Sequence, residues 1–589
     1  MTTTARFLLR ATALALLLLP PAGAAATSCG DPATPIARIQ GTGDHSPMAG
    51  QTVTVEAVMS HDSRQKGGFQ GFYLQQADHQ TDSDPRTSEA LFVYTRRSTG
   101  DIGDRLRITG TVKEFHGLTE LVGIKTLTLC GREPVPAPVA LSLPWPQHPE
   151  TLENMRVRFE QPLTVIDSHN LARYGELTLA QTDQTNATEY LEPGPSAQQA
   201  TERQRRHRVV LDDGLRQQQP RPVPWPPGGL SADNTVRAGD RFSQLAGVLD
   251  FRFGDWRLQP EVTPKLLPAN PRQPPPVRPE QPHLRLVTLN LANYFNGSGD
   301  GQGFPTSRGA RSQADYEHQH QRLLAALRAP DPDILALTEV ENDGYDGTSS
   351  VAKLAEALGP DWRVVTTPGA DGQDEIRTAL LYRSDRVQTS GRAERLTSAL
   401  FRHRGRPPVT QVFRAKAGDA GVRIIALHLK SKSCRGATGA DLDQQDGQGC
   451  YNDRRVRAAK AIVQWLSELP TPDHLAGTLI TGDLNSYARE TPLEVFRSAG
   501  FASMVHQLQP CDASTCPHYT YRYKGARGSL DYALASGPLQ PRILTATTWL
   551  VNADEPRALA YNGPLNIKSA LPWRSSDHNP VITDIRLGH

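Results

Sequence analysis

A chain of 589 residues is too long to be filled by one hydrophobic core, so roughly two to four domains are expected. With 38% hydrophobic and 21% charged residues, it is neither a disordered polyelectrolyte nor a set of membrane spans. The formal net charge is only +2, and Arg6 and Arg10 account for it, so any attraction to phosphate has to be local.

Residues 1–26 read as a secretory signal peptide. A basic start, M-T-T-T-A-R-F-L-L-R, precedes the apolar A-T-A-L-A-L-L-L-L and the small residues Ala22-Gly23-Ala24-Ala25-Ala26. The apolar run is shorter than the roughly 20 residues that cross a bilayer, and no later stretch approaches that length. Export to the periplasm or the medium, without a transmembrane segment, is therefore expected. Lipid attachment at Cys29 is disfavoured because Ala26-Thr27-Ser28 lacks the apolar residue such sites carry.

Residues 27–133 predict a β-barrel. Short apolar runs at 53–59, 71–75, 90–94, 105–112 and 118–129 are separated by turns such as G-D-I-G-D. Five strands in this length suit an OB-like barrel. Phe72, Tyr73, Phe92 and Tyr94 could stack on bases, although core packing is the plainer expectation. A second β-rich domain follows at 134–259. Its Arg- and Gln-rich insert, roughly 183–230, ends in P-R-P-V-P-W-P-P and reads as a mobile surface loop. The proline-dense segment 260–282 predicts a stiff extended linker and the main domain boundary.

From 283 to 589 strands alternate with amphipathic helices at 312–328 and 452–466, which predicts an α/β or α+β domain. Six cysteines in an exported chain predict disulfides. Several connectivities are open, and proximity favours Cys434–Cys450 and Cys511–Cys516, leaving Cys29–Cys130 around the first module. Zinc is disfavoured, because the spacings lack paired histidines.

The chemistry concentrates in six segments of the second half. These are V-T-L-N-L-A-N (287–293), L-T-E-V-E-N (337–342), I-A-L-H-L-K-S-K (425–432), T-G-D-L-N-S (481–486), S-L-D-Y-A-L (529–534) and S-S-D-H-N-P-V (575–581). Most place a carboxylate, amide or imidazole at or just past the end of an apolar strand. Gathered around one cleft, such groups suit metal-assisted phosphodiester hydrolysis. The acidic loop 441–449 lacks the closing Glu of a calcium loop and reads as a loop clamped by a disulfide.

In this order the motifs resemble the endonuclease/exonuclease/phosphatase superfamily typified by deoxyribonuclease I. With the OB-like module ahead, the chain is similar to bacterial extracellular nucleases. The resemblance implies a four-layer α/β sandwich over 283–589. It implies Glu339, Asn290 and Asp577 as ligands for Mg2+ or Mn2+, with Ca2+ as a candidate structural or activating ion. His578 would move the proton of the attacking water, with Asp531 fixing its tautomer. His428, Asp483 and Asn485 would complete the catalytic set, and Asn290, Asn485 and Arg377 would contact the phosphate. Ala292 stands where relatives specialised for abasic-site repair carry an acid, which favours a general nuclease. A monomeric, secreted endonuclease or phosphodiesterase acting on DNA is thus expected, with RNA as a further candidate substrate. A sphingomyelinase-like phosphodiesterase and a non-catalytic nucleic-acid-binding surface protein are the alternatives. Arg454, Arg455 and Arg457 could add phosphate contacts, or simply form a solvated helix face.

Overall fold

The computed structural model describes residues 28–281, 283–297, 303–369, 371–402, 405–416 and 418–587; the expected signal peptide lies outside them. Among the described residues no helix is long and apolar enough to cross a membrane. The three expected cysteine pairs, Cys29–Cys130, Cys434–Cys450 and Cys511–Cys516, are disulfides.

The first module is a closed five-stranded barrel built from β1 (Thr52–Ser63), β2 (Gly71–Gln75), β3 (Ala90–Tyr94), β4 (Asp104–Phe115) and β5 (Leu118–Arg132), in the order β1-β2-β3-β5-β4. Alternating side chains such as Val53, Val55 and Ala57 fill it. The base-stacking expectation fails here for three of the four aromatics. Phe72, Tyr73 and Phe92 are fully buried, and only Tyr94 is exposed. Tyr73 instead donates to Asp250 of the next module at 2.6 Å, and Phe69, Tyr73, Phe92, Leu118 and Val248 form the seam between the two modules.

The middle module is a nine-stranded sheet. Its polar insert is not a loose loop. It contributes helix Pro195–Arg206 and strand Arg208–Leu211, while Gln184–Thr185 pairs in parallel with Ala526–Arg527 of the C-terminal half. Most of its arginines and glutamines are exposed, but its acidic and hydroxyl groups fasten it to the C-terminal half. Asp183 pairs with Arg522 at 2.6 Å and Arg527 at 3.1 Å, Thr188 donates to Glu490 at 2.9 Å, and Glu189 meets His506 at 2.7 Å.

The proline-rich segment is likewise docked rather than free. Proline backbones leave carbonyls without internal partners, and here Arg285 donates to those of Pro276 and Val277 at 3.0 Å. Trp549 donates to Gln273, and Arg272 pairs with the buried Glu555 at 2.8 Å.

Two six-stranded sheets stack in the C-terminal half. Strand residues facing inward, such as Leu286, Ala336, Leu380, Ile424 and Leu479, form the central core. Their outward neighbours meet helices on either side. Val287 and Leu335 pack with Leu323 and Leu354 from helices Gln313–Arg328 and Ser350–Leu358. Ile425 and Leu427 pack with Ile462 and Phe496 from Asn452–Glu468 and Thr491–Ser498. Strands covered on both faces explain the near-continuous apolar runs, and the result is four layers.

Where the barrel meets the middle module, Glu153 is buried and accepts from the Thr119 amide at 3.2 Å. Burial, reinforced by Asp44, holds Glu150 above the ordinary carboxylate range, and burial with Glu150 does the same to Glu153. A carboxyl that keeps its proton more readily when folded adds stability at low pH and loses it as pH rises through the raised value. Glu150→Gln should therefore raise the thermal midpoint more at about pH 8 than at about pH 5. An equal shift at both would remove this explanation.

Candidate active site

Strand register does most of the assembly. Gly421–His428 runs parallel to Leu475–Asp483, which pairs antiparallel with Asp531–Ser536, so His428 sits beside Asp483 and Asp483 beside Asp531. Directly opposed residues project to the same face, and one row of chemistry results. The glycine of T-G-D-L-N makes this possible. Gly482 has φ +127°, and a Cβ there would lie 2.0 Å from the Leu427 carbonyl oxygen.

The row is knitted by short contacts. Asp483 Oδ2 accepts from the Asn290 amide at 3.1 Å and lies 3.5 Å from His428 Nε2, while Asp483 Oδ1 accepts from the Asn485 backbone N–H at 2.8 Å. His578 Nδ1 is 2.7 Å from Asp531 Oδ2. The loop that brings His578 there is pinned. Asn552 donates to the His578 carbonyl at 2.7 Å, and Ser576 Oγ donates to the Asn290 carbonyl at 2.6 Å. Tyr521 covers the imidazole with ring centroids 4.7 Å apart.

Glu339 arrives differently. Pairing on both sides of its strand shifts register here, and Glu339 has φ +59°. A bulge with left-handed backbone breaks the strict alternation of a strand, and such outliers gather at functional sites. The Glu339 carboxyl is raised by burial first and then by the charge of Asp577, with the Asn290 amide and His578 opposing.

Electrostatics set the imidazoles apart. Burial lowers His428 well below its ordinary value, and the Arg406 charge adds to this, so it is neutral. Among the described residues its buried Nδ1 has no hydrogen-bond partner. Burial also opposes charge on His578, but Asp531 outweighs it and raises that group. Asp483 is pushed up to about 7 by burial and the adjacent Asp531.

Asp483, Asp531 and His578 offer ligand atoms within 4.8 Å of one another. Among the described residues Asp531 Oδ1 is buried with no hydrogen-bond partner. Buried carboxylates that resist ionising beside one another are stabilised by a cation, and hard oxygen donors suit a divalent metal. This cluster therefore fits a divalent cation, whereas the expected holders Glu339 and Asp577 are not members of it.

A cleft of about 640 Å3 adjoins this row at Ser576, Asp577 and Tyr521. Asp577, Ser576, Tyr521, Arg308 and Arg574 line one side. Asp167, Asn170, Glu176 and Thr178 of the middle module line the other. That wall, with Arg308, Arg406 and Tyr521, was not legible in the motifs, because nothing in the spacing of T-S-R-G-A-R or R-G-R-P-P marks a buried or cleft-facing guanidinium.

Arg377 is not drawn into the row. It is buried, pairs with Asp371 at 3.1 Å, donates to the Gly344 carbonyl at 2.8 Å and lies over Tyr345 at 3.8 Å. Arg455 is also structural, donating to the Cys450 and Gln448 carbonyls at 2.8 and 2.9 Å. Arg457 pairs with Asp453 on the helix surface.

Residues 287–578 match the family model described as "Endonuclease/Exonuclease/phosphatase family", and 148–270 match a domain of unknown function. No curated protein matches the chain. Among solved structures it is similar to an endonuclease/exonuclease/phosphatase from Bacteroides vulgatus, at 15% identity, covering 52% of this chain and 100% of that one, TM-score 0.35. The human Nocturnin catalytic domain with bound sulfate matches at 18% identity, covering 51% and 93%, TM-score 0.33. A Bacteroides thetaiotaomicron mannosyl-6-phosphatase matches at 17% identity, covering 51% and 98%, TM-score 0.34.

Beneath the row, Lys432 of the H-L-K-S-K segment pairs with the buried Glu490. Burial lowers Lys432 to about 8 and raises Glu490, yet each offsets the other. Lys432→Met alone should cost about 3–5 kcal/mol by stranding the Glu490 charge, and Lys432→Met with Glu490→Gln should recover most of it. Chemical denaturation of the two variants measures this; equal losses would mean the pair is not coupled.

Proposed function

We propose, from the endonuclease/exonuclease/phosphatase family domain at residues 287–578, that the protein is an exported, divalent-metal-dependent nuclease hydrolysing phosphodiester bonds, with DNA as the favoured substrate. The observation that carries this reading is the 2.7 Å pair of His578 with Asp531, set beside Asp483 at the edge of a carboxylate-rich cleft. A cation held by Glu339, Asn290 and Asp577 would supply positive charge to the phosphoryl oxygens and offset the crowded carboxylates.

The protein's own groups have distinct parts. Asp531 holds one proton of His578 on Nδ1, so that in the neutral form of the ring Nε2 is the atom that takes a proton from the attacking water. Asp483 orients that water, since its own oxygens are fixed by the Asn290 and Asn485 N–H groups. His428, kept neutral by burial, is suited to donate to a phosphoryl or leaving oxygen without adding a charge. The Asn485 side chain currently donates to the Leu429 carbonyl at 3.2 Å and has a second N–H for the phosphate. Arg308 and Arg574 line the cleft where a polyanion would lie.

Three disulfides support an oxidising compartment. The order of the five-stranded barrel supports the OB-like reading, although its buried aromatics offer no stacking platform. Carboxylates on the far wall, Asp167 and Glu176, favour a second reading. In it the substrate is another phosphodiester, with a cationic or hydroxyl-rich leaving group that carboxylates would bind.

The test uses closed circular DNA, RNA and sphingomyelin with and without EDTA. Nicking of circular DNA that EDTA abolishes is expected, and because a circle has no ends it also establishes endonucleolytic attack. His578→Ala should lose at least the roughly 10²–10⁴-fold that acid–base catalysis supplies, and Asp531→Asn somewhat less. Glu339→Gln should be partly rescued by raised Mg2+ or Mn2+, whereas His578→Ala should not. Wild-type cleavage by a folded His578→Ala protein would mean the site lies elsewhere.

A further inference from the structure

The cleft does not stop at the C-terminal half. Thr178, on strand Leu177–Ala180, lines it and also lines a second groove of about 570 Å3 on the middle module. Arg208 stands at the junction: it lines this groove and donates to the carbonyl of Lys524, a cleft residue, at 2.9 Å. The two concavities therefore adjoin at Thr178 and Arg208, on the middle-module side of the cleft.

Aromatic rings and guanidinium groups share the second groove. Phe251 and Trp256 lie ring to ring at 5.1 Å, and Trp145 packs on Phe159 at 5.9 Å. Phe251, Trp256 and Trp145 are half-buried and line the groove. The Trp145 indole N–H is buried without a hydrogen-bond partner among the described residues. Arg205 and Arg206, from the last turn of helix Pro195–Arg206, are exposed on the same rim. Arg205 makes no ion pair among the described residues, and Arg206 pairs only with the exposed Glu202 one turn earlier. The groove's acids, Glu202 and Asp255, are fewer than its arginines, so it carries local positive charge in a chain whose total charge is almost nil.

We infer that this groove binds the single-stranded stretch of nucleic acid flanking the phosphate held in the cleft. The inference rests on the nuclease reading and adds a binding site to it. Alternating cations and ring faces match the alternating phosphates and bases of one strand. A duplex keeps its bases stacked inside, so Trp145, Phe251 and Trp256 could not reach them. A small phosphoester would end within the cleft and have no use for the groove.

The experiment compares kcat/KM on a long single-stranded oligonucleotide and on a dinucleotide, using the full chain with Mg2+. The variants are Arg205→Glu with Arg206→Glu, whose exposed positions make misfolding unlikely to intrude, and Trp256→Leu; unchanged thermal midpoints check folding. Charge reversal should raise KM on the long strand by about 10-fold or more and reduce the slope of log affinity against log salt by about two, one for each lost phosphate contact. Trp256→Leu should raise that KM by about 5-fold or more. Dinucleotide turnover should not change in either variant. Long-strand cleavage with unchanged KM, or equal losses on both substrates, would overturn the groove while leaving the nuclease reading intact. Wild-type protein that cleaves neither substrate but hydrolyses another phosphoester would overturn the nuclease reading and the groove with it.

Discussion

Close contact between Gly482 and the Leu427 carbonyl is the constraint on which the site depends. It lets two parallel strands approach until His428, Asp483 and Asp531 stand in one row. A side chain at 482 would push those strands apart at the point where their polar ends converge. Everything else at the site is referred to that row. Asn290 reaches it from the facing sheet, Thr288 and Thr481 bond across the same gap, and His578 is delivered to Asp531 by a loop fastened at both Asn552 and Ser576. The apolar layers beneath supply rigidity, so the groups hold position despite the mutual repulsion of their carboxylates.

The second constraint is electrostatic and lies between modules. Asp183, Glu189, Asp554 and Glu555 are all largely buried, and each faces a basic partner across a boundary between sequence-distant segments, Asp554 through Arg237 of the middle module. Buried ion pairs add little net stability over apolar packing, but losing one partner is costly. Such an interface therefore fixes orientation more than it adds strength. That is the property needed where the middle module forms one wall of the cleft.

The strand-end motifs were legible because local rules coincide there. An apolar run, a glycine and then an acid mark a buried strand feeding a cleft, and the structure brings Asn290, His428, Asp483, Asp531 and His578 together. The helix at 312–328 was equally legible, with Ser312 capping it through the Asp315 amide. What escaped were features decided by distant partners. Arg- and Gln-rich composition reads as solvated surface, and most of those side chains are exposed, yet Asp183 and Arg208 of the same insert reach Arg522 and the Lys524 carbonyl more than 300 residues away. Proline density reads as a free spacer, but Arg285 and Trp549 take up its carbonyls. Core packing was the plainer expectation for Phe72, Tyr73 and Phe92, but not that both faces of the strand would be buried, which follows from the barrel docking on a neighbour.

The parallel pairing of Gln184–Thr185 with Ala526–Arg527 has a consequence for folding. The earlier strand stands more than 300 residues ahead of its partner, so its edge stays open until that distant segment is in place. Until then Asp183 and Glu189 lack the bases that later cover them, and water must serve in their place. The nine-stranded sheet can collapse on its own strands, whereas this small three-stranded sheet needs both halves of the chain, so its closure is a late folding event.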